Sequence, residues 1–295
     1  MSVLKIENLS KNYGPIKALD NLNLEVEKGQ ILGLLGPNGS GKTTTLGIIL
    51  GILSPSAGNF SWFDNKYGEK HRLHIGSILE TPNFFPYLDA DDNLEIVRQI
   101  KGVDSKDFDE VLELVKLKGR RKSKFRTYSL GMKQRLAIAA TLIGDPDVVI
   151  FDEPTNGLDP KGISEVRSTL SEIASRGKTV IMASHILNEV EKICTHVVII
   201  KKGKLLAKGN VGSILSNDIT IELLSDNKDV LFNFLKAHPK IKNISQDGNK
   251  LECNADKDLN IGDLNAEALN NGIKLTHLVA KKRSLEQEFL EITSN

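Results

Sequence analysis

The sequence predicts an α/β fold followed by a small α+β unit. One observation is an apolar strand, a glycine-rich loop and a helix in succession over residues 30–50. Another is the apolar strand 148–153, which ends in two carboxylates. After residue 218 the pattern changes, and short strands alternate with short helices. We therefore expect one large domain at 1–214 and a small accessory domain at 215–295.

Composition is that of an ordinary water-soluble protein. Of the 295 residues, 40% are hydrophobic and 26% are charged, and the net charge of +1 gives no argument for nucleic acid as a partner. Cys194 and Cys253 lie far apart, so neither a disulfide framework nor a zinc site is expected, and a reduced cytoplasmic setting is the simplest inference. No apolar run approaches the 18 or so residues of a membrane span, so another chain must supply the spans for any membrane process.

The loop at residues 36–43 fits the phosphate-binding pattern G-x-x-x-x-G-K-[ST] at every fixed position. Its glycines let backbone N–H groups turn toward a polyphosphate, and the helix that follows adds its positive dipole end. Lys42 is expected to reach the β and γ phosphates of ATP, and Thr43 to hold Mg²⁺. The predicted phosphate-binding residues are Gly36, Pro37, Asn38, Gly39, Ser40, Gly41, Lys42, Thr43 and Thr44.

Strands are predicted on both sides of this loop. Residues 4–9, 19–26 and 59–63 show strand patterns, and the first two are joined by a turn at Tyr13 and Gly14. An aromatic ring at that turn can stack on a nucleotide base. On residue chemistry alone, a half-buried tyrosine at a strand end is the favoured interpretation.

The middle of the chain is predicted to be mostly helical. Strand 75–79 ends at Glu80, and helices follow at 91–100, 107–115 and 130–142. The aromatic stretch 83–88 has two interpretations of equal weight, a part of the core or an exposed surface for a partner. The basic run 116–126, with seven basic residues in eleven, is compatible with nucleic acid or lipid headgroups, but a solvated loop is favoured.

Two strand ends carry further candidate residues. A buried parallel strand brings its last residues to the ligand edge of the sheet, so Asp152 is expected to hold Mg²⁺ and Glu153 to activate water. His185 follows strand 179–183 and can donate a hydrogen bond to the γ-phosphate. The remaining predicted elements are a helix at 161–176, a hairpin at 196–209, and, in the accessory domain, strands or helices at 219–224, 230–237, 241–253, 261–270, 273–280 and 284–292.

The stretch 128–135, Tyr-Ser-Leu-Gly-Met-Lys-Gln-Arg, makes the sequence resemble the ATP-binding subunits of ABC transporters over residues 4–208. The family's signature is Leu-Ser-Gly-Gly-Gln, which Ser129 and Gly131 match. Tyr128, Leu130 and Met132 depart from it, as in the drug and antimicrobial-peptide export subfamily. The resemblance implies an ABC ATPase domain with a mixed sheet core, an antiparallel β subdomain and a helical subdomain.

The resemblance also implies residue roles. It assigns Tyr13 to base stacking, which reverses the preference stated above, Asp159 to a dimer contact, and His185 to the γ-phosphate. The family's glutamine, which contacts Mg²⁺ and the attacking water, falls on Glu80. A carboxylate there remains a hard oxygen ligand, and bacitracin and lantibiotic exporters carry the same substitution.

The expected function is ATP binding and hydrolysis in a homodimer that drives a separate membrane permease, from the inner face of the cell membrane. In the family, Ser129 and Gly131 contact the ATP held by the opposite subunit. Two alternatives remain open at this point. One is a soluble ABC-type ATPase of translation or DNA maintenance, and the other is a P-loop small-molecule kinase, which has no use for residues 128–135.

Overall fold

The chain forms two compact units. A computed structural model describes residues 1–79, 82–104, 107–214, 218–256, 258–282 and 285–294. The units are Met1–Val211 and Gly212–Asn295, so the first ends at 211 where the sequence placed the boundary at 214. Within the described part of the chain, no helix combines the length and the apolar character needed to cross a bilayer.

The elements of the first unit follow in chain order. They are β1 (Ser2–Tyr13), β2 (Ile16–Glu27), β3 (Ile31–Leu35), α1 (Lys42–Ile49), β4 (Ala57–Trp62), β5 (Ile75–Ile78), α2 (Ala90–Lys101), α3 (Asp109–Leu114), α4 (Leu130–Leu142), β6 (Val148–Asp152), α5 (Pro160–Ser175), β7 (Thr179–Ser184), α6 (Leu187–Ile193), β8 (His196–Lys201) and β9 (Lys204–Asn210). Short 3₁₀ turns occur at Phe63–Asn65, Gly68–His74, Lys118–Arg120 and Phe125–Thr127, and α7 (Val211–Ile214) crosses the unit boundary.

A six-stranded sheet in the order β5-β6-β7-β3-β8-β9 forms the centre of the first unit. All neighbours pair in parallel except β8 and β9, which form the antiparallel hairpin. Every residue of β6 is buried, as expected of a parallel strand covered on both faces. This order places the ends of β3, β6 and β7 at one edge of the sheet, because parallel strands point the same way.

A three-stranded antiparallel sheet, β2-β1-β4, lies beside the centre. In β1 and β2 buried and exposed residues alternate, which is why both were recognisable as strands. They are longer than the predicted 4–9 and 19–26, because pairing continues to Tyr13 and Ile16 at the tip.

The basic run lies at the surface, as the favoured interpretation expected, with all of its basic residues but Arg121 exposed. Two short 3₁₀ turns lie within it. Arg121 bonds to Asp91 and Asp109, and Lys122 approaches Asp91 to 2.7 Å. The run is therefore partly neutralised by carboxylates of α2 and α3, which a count of charges along the sequence does not reveal.

Lys101, at the end of α2, binds the last carbonyl groups of α4. Its Nζ donates to Thr141 O at 3.1 Å and to Ile143 O at 2.8 Å. Burial lowers the pKa of Lys101 from 10.5 to about 8. Between pH 8 and 10.5 the unfolded chain therefore binds more protons than the folded chain, and this residue makes the free energy of unfolding rise with pH.

We expect the wild-type chain to gain stability over Lys101→Met, by about 2.4 kcal/mol, between pH 7.5 and pH 10. Urea unfolding followed by the fluorescence of Trp62, the single tryptophan, measures this in the first unit. An unchanged difference between the two proteins at both pH values would show that Lys101 keeps its proton throughout.

The second unit is a ferredoxin-like β-α-β-β-α-β arrangement. Its four strands form an antiparallel sheet in the order β11-β12-β10-β13, with a core that includes Leu223, Leu251 and Leu264. Its elements are β10 (Asp218–Ser225), α8 (Lys228–Ala237), β11 (Ile241–Asp247), β12 (Lys250–Asp256), α9 (Ile261–Asn270), β13 (Leu275–Lys282) and α10 (Leu285–Ser294).

Candidate functional site

The glycine-rich loop joins β3 to α1 at the edge of the central sheet. Gly39 and Gly41 have φ angles of 76° and 113°, which residues with a side chain rarely adopt. A Cβ atom on Gly36 would lie 2.2 Å from Ile200 O, so the loop also passes too close to β8 for any other residue. The loop therefore requires these glycines for its own shape.

Lys42 is buried at the base of this loop, with 6% of its surface exposed. Its Nζ donates to Gly36 O at 2.8 Å and to Pro37 O at 3.3 Å, and it lies 3.8 Å from Oε1 of Glu153. A buried ammonium group needs such partners, and the same position is suited to phosphate oxygens.

A cavity of about 340 Å³ opens beside Lys42. It is lined by Ala18, Asn38, Gly39, Ser40, Gly41, Lys42, Thr43, Thr44 and Glu153. The hydroxyl of Ser40, two residues before α1, is buried, and no described residue forms a hydrogen bond to it. The start of α1, the Lys42 ammonium group and the small residues of the loop together form a site that fits a polyphosphate.

The neighbouring strands β6 and β7 deliver the acidic residues and the histidine. Asp152, the last residue of β6, is buried and pairs in register with Ala183 of β7. Glu153 has a positive φ of 50°, and its N–H donates to Ala183 O at 3.0 Å. This turn in the backbone gives Glu153 a direction different from that of the strand residues before it.

His185 lies directly beside Glu153. The imidazole Nδ1 is 2.8 Å from Oε2 of Glu153, and the backbone N–H of His185 donates to the same oxygen at 3.3 Å. Lys42 and His185 are 143 positions apart in the sequence, but both lie beside Glu153. The three side chains therefore form one connected group.

A second cavity, of about 370 Å³, shares Thr43 and Glu153 with the first and is called the chamber below. It is lined by Thr43, Pro82, Leu130, Gln134, Asp152, Glu153 and Asn156. The Thr43 hydroxyl and the Asp152 carboxylate are the oxygen donors that Mg²⁺ takes in proteins, where it keeps several waters and substrate phosphates as its other ligands. These residues therefore fit the metal.

Ser129, Gly131 and Asp159 are not among the described residues that line either cavity. Ser129 caps α4 by accepting from the N–H of Met132 at 3.3 Å, and Asp159 caps α5 by accepting from the N–H of Gly162 at 2.9 Å. Their side chains already have local roles, so contact with nucleotide would be an additional one.

Two other predicted residues stand apart. Tyr13 ends β1 and is 45% exposed, with the Lys11 ammonium group 5.2 Å from the ring centre. Its ring is therefore accessible to a base. Glu80, predicted as a metal ligand, lies outside the described residues.

Sequence reasoning missed four residues of the chamber, Pro82, Leu130, Gln134 and Asn156. One signal was present for Gln134, since it stands in the apolar helical stretch 130–142. Periodicity predicts a helix there but does not tell which buried side chain faces a cavity.

Known proteins resemble this chain in sequence and in fold. The family model described as "ABC transporter" matches residues 19–156. The Bacitracin transport ATP-binding protein BcrA of Bacillus licheniformis is 38% identical over 99% of this chain and 97% of its own length. The Lantibiotic transport ATP-binding protein SrtF of Streptococcus pyogenes is 38% identical over 75% of this chain and 99% of its own.

A solved structure shares the fold of the first unit. It is the dimeric structure of a post-hydrolysis state of an ATP-binding cassette bound to ADP and Pi, with 29% identity and a TM-score of 0.63. It covers 70% of this chain and 98% of the other. The predicted α/β fold and the predicted ABC-type domain are thereby confirmed. The chain belongs to the ATP-binding subunits of ABC transporters, which bind and hydrolyse ATP.

Proposed function

We propose that this chain powers the export of peptide antibiotics or similar drugs, as a homodimer bound to a separate integral membrane permease. The observation that carries the proposal is the similarity to a bacitracin transport protein over 99% of the chain, which includes the second unit. Similarity confined to the ATPase domain would support any transport direction. Similarity over the whole chain supports export, and the identity of 38% to a bacitracin transport protein favours peptide antibiotics as the cargo.

We assign the following roles to the residues of the site. Lys42 and the loop N–H groups hold the phosphates of ATP, and Thr43 and Asp152 hold Mg²⁺, which neutralises phosphate charge when bound. Glu153 takes a proton from the attacking water. His185, 2.8 Å from Glu153, orients this carboxylate and reaches the γ-phosphate.

We infer the dimer from the residues Ser129 and Gly131, which line neither cavity. Ser129 caps α4 and is exposed, and its hydroxyl can still donate a hydrogen bond while it accepts from the N–H of Met132, so Ser129 and the neighbouring Gly131 are available to a second copy. We infer that they bind the ATP held by the loop of that copy. Loss of the γ-phosphate contacts after hydrolysis would then let the two copies separate.

The permease is expected to bind at the exposed aromatic side chains between β5 and α2. Phe85 and Tyr87 are 47% and 62% exposed, whereas Phe84 packs against Phe125 with 5.3 Å between ring centres. Phe84 therefore packs against the buried Phe125, and Phe85 and Tyr87 are the exposed candidates for a partner. Exposed aromatic side chains of this size are the usual anchors of a protein interface.

Purification from native membranes tests the proposal. A tagged chain is expected to carry a multi-span protein with it from detergent extracts, and Phe85→Ser combined with Tyr87→Ser is expected to lose that protein while it still binds ATP. Cells that express only Glu153→Gln are expected to become sensitive to bacitracin-like peptides. Recovery of the chain from the cytosol alone, with no membrane protein attached, would contradict the transporter assignment.

A further inference from the structure

Arg135 is a buried arginine of α4 that bonds to two other helices. Only 8% of its surface is exposed. Its Nη1 donates to Val115 O at 3.0 Å and to Lys116 O at 3.2 Å, at the end of α3. Its Nη2 lies 3.1 Å from Oε2 of Glu165 on α5. One guanidinium group therefore joins α3, α4 and α5.

A guanidinium group suits this position between two helices. The last carbonyl groups of a helix lack partners within it and carry the negative end of its dipole, so a cation is favoured there. The planar fork of an arginine has five N–H donors, which lets Arg135 serve the end of α3 and Glu165 at the same time. A compact ammonium group in its place would serve only one of the two.

The helices α4 and α5 also touch at their first turns. Gly131 is two residues after the cap Ser129, and Gly162 is three residues after the cap Asp159. A Cβ atom added to Gly131 would lie 3.7 Å from Gly162 Cα, which is an ordinary van der Waals contact. The capped starts of the two helices are therefore next to each other.

The ion pair lies one turn further along both helices. Arg135 is six residues after the cap of α4, and Glu165 is six residues after the cap of α5. Each residue is thus about 9 Å from the start of its helix along the axis. A single contact at the glycines would let the helices pivot, whereas the second contact at the ion pair fixes the angle between them.

We propose that Arg135 is a positioning residue for dimerisation, which holds α4 and α5 at the angle at which the capped starts of both helices meet the second copy. The inference rests on the proposed dimer. A contact made by two helix starts requires both to be in place before the copies meet, because ordering them during association lowers affinity. Arg135 provides that order in advance, since its bonds to α3 and α5 are already formed in the single chain.

A role of Arg135 in stability alone predicts a different result. Apolar residues of similar volume often stabilise a fold as well as a buried ion pair does, because the ions lose their hydration. Loss of stability would lower the fraction of folded protein at every protein concentration. Loss of positioning would instead weaken the association of two copies, so its effect on ATP hydrolysis would disappear at high protein concentration.

The test compares Arg135→Lys and Glu165→Gln with the control Arg176→Lys. Arg176 also joins α5 to α3, through a 2.6 Å ion pair with Glu110, but it directly follows the last residue of α5 and is far from the helix starts. Analytical ultracentrifugation with ATP and Mg²⁺, in a Glu153→Gln background, measures the dissociation constant of the dimer.

We expect Arg135→Lys and Glu165→Gln each to raise this dissociation constant about 10-fold, the usual effect of one lost hydrogen bond between charged groups. The two changes combined should weaken the dimer no more than either alone, because both break the same link. The control should dimerise like the parent. Binding of ATP to the single chain should stay within about twofold of the parent in all of them, since Arg135 lines neither cavity.

The rate of ATP hydrolysis, measured without the Glu153→Gln change, separates positioning from stability. At low protein concentration Arg135→Lys should be about 10-fold slower than wild type, and at high concentration it should return to within about twofold. Unchanged dimers in both variants, or a deficit that persists at every concentration, would overturn the proposal. If Arg135→Lys does not fold, Glu165→Gln decides, because the Glu165 side chain is 26% exposed and accommodates an amide. The absence of an ATP-driven dimer in Glu153→Gln itself would instead refute the dimer on which the inference rests.

Discussion

Replacement of Glu153 by glutamine is expected to lower the kcat of ATP hydrolysis by about 10²–10⁴-fold, because an amide cannot take the proton of the attacking water. Glutamine has the same shape, and it can still bond to His185 and lie near Lys42, so the loop and its cavity are expected to persist. The dissociation constant for ATP should therefore change little. With hydrolysis blocked, the ATP-bound dimer should accumulate.

Phosphate release measures the first effect, and size-exclusion chromatography with ATP and Mg²⁺ measures the second. Glu172→Gln is a matched control, since Glu172 is an exposed residue of α5 that bonds to Arg176. It should hydrolyse ATP like the wild type. Wild-type turnover in Glu153→Gln would mean that another group accepts the proton.

Gly131→Asp is expected to abolish ATP-driven dimerisation while each chain still binds ATP. The new carboxylate would face the triphosphate held by the other copy, and repulsion of this kind costs on the order of 4 kcal/mol at 4 Å in a partly buried site. That corresponds to a dimer weaker by roughly 10³-fold for each of its two ATP sites. Hydrolysis should fall with it, because each site is incomplete without the second copy.

Space around Gly131 makes this result interpretable. An added Cβ would lie 3.7 Å from Gly162 Cα and 4.0 Å from Leu158 Cδ2, both ordinary contacts, so the substitution does not strain its own chain. Gly119→Asp adds the same charge where no atom lies within 4 Å of the new Cβ, and it should dimerise normally. Normal dimers of Gly131→Asp by analytical ultracentrifugation would place the start of α4 away from the interface.

Much of the fold could be predicted because it depends on local patterns. The apolar run of β6, the alternation in β1 and β2, and the glycine spacing of the loop are each visible within a dozen residues. Element bounds were less predictable. The tip of β1 and β2 extends to Tyr13 and Ile16 because the two strands pair with each other, which no single segment reveals.

The site was predictable in its residue types and much less in its arrangement. Asp152 and His185 were recognised because each ends an apolar strand, but their proximity depends on β6 and β7 being neighbours in the sheet. Gln134 was missed because a helical pattern does not show which buried residue faces a cavity. The sequence also did not show that the charges of Arg121 and Lys122 are paired with carboxylates of α2 and α3.

By itself, the sequence determined the α/β class, the phosphate-binding loop and the residues able to handle Mg²⁺ and water, because loop shape and side-chain chemistry are fixed by residue type and short spacing. Only the tertiary structure decided that Lys42, Glu153 and His185 meet and that Gln134 shares a chamber with Asp152. These contacts depend on which strands pair and on how α4 packs. Strand pairing and helix packing are in turn determined by the burial of apolar surface over the whole unit.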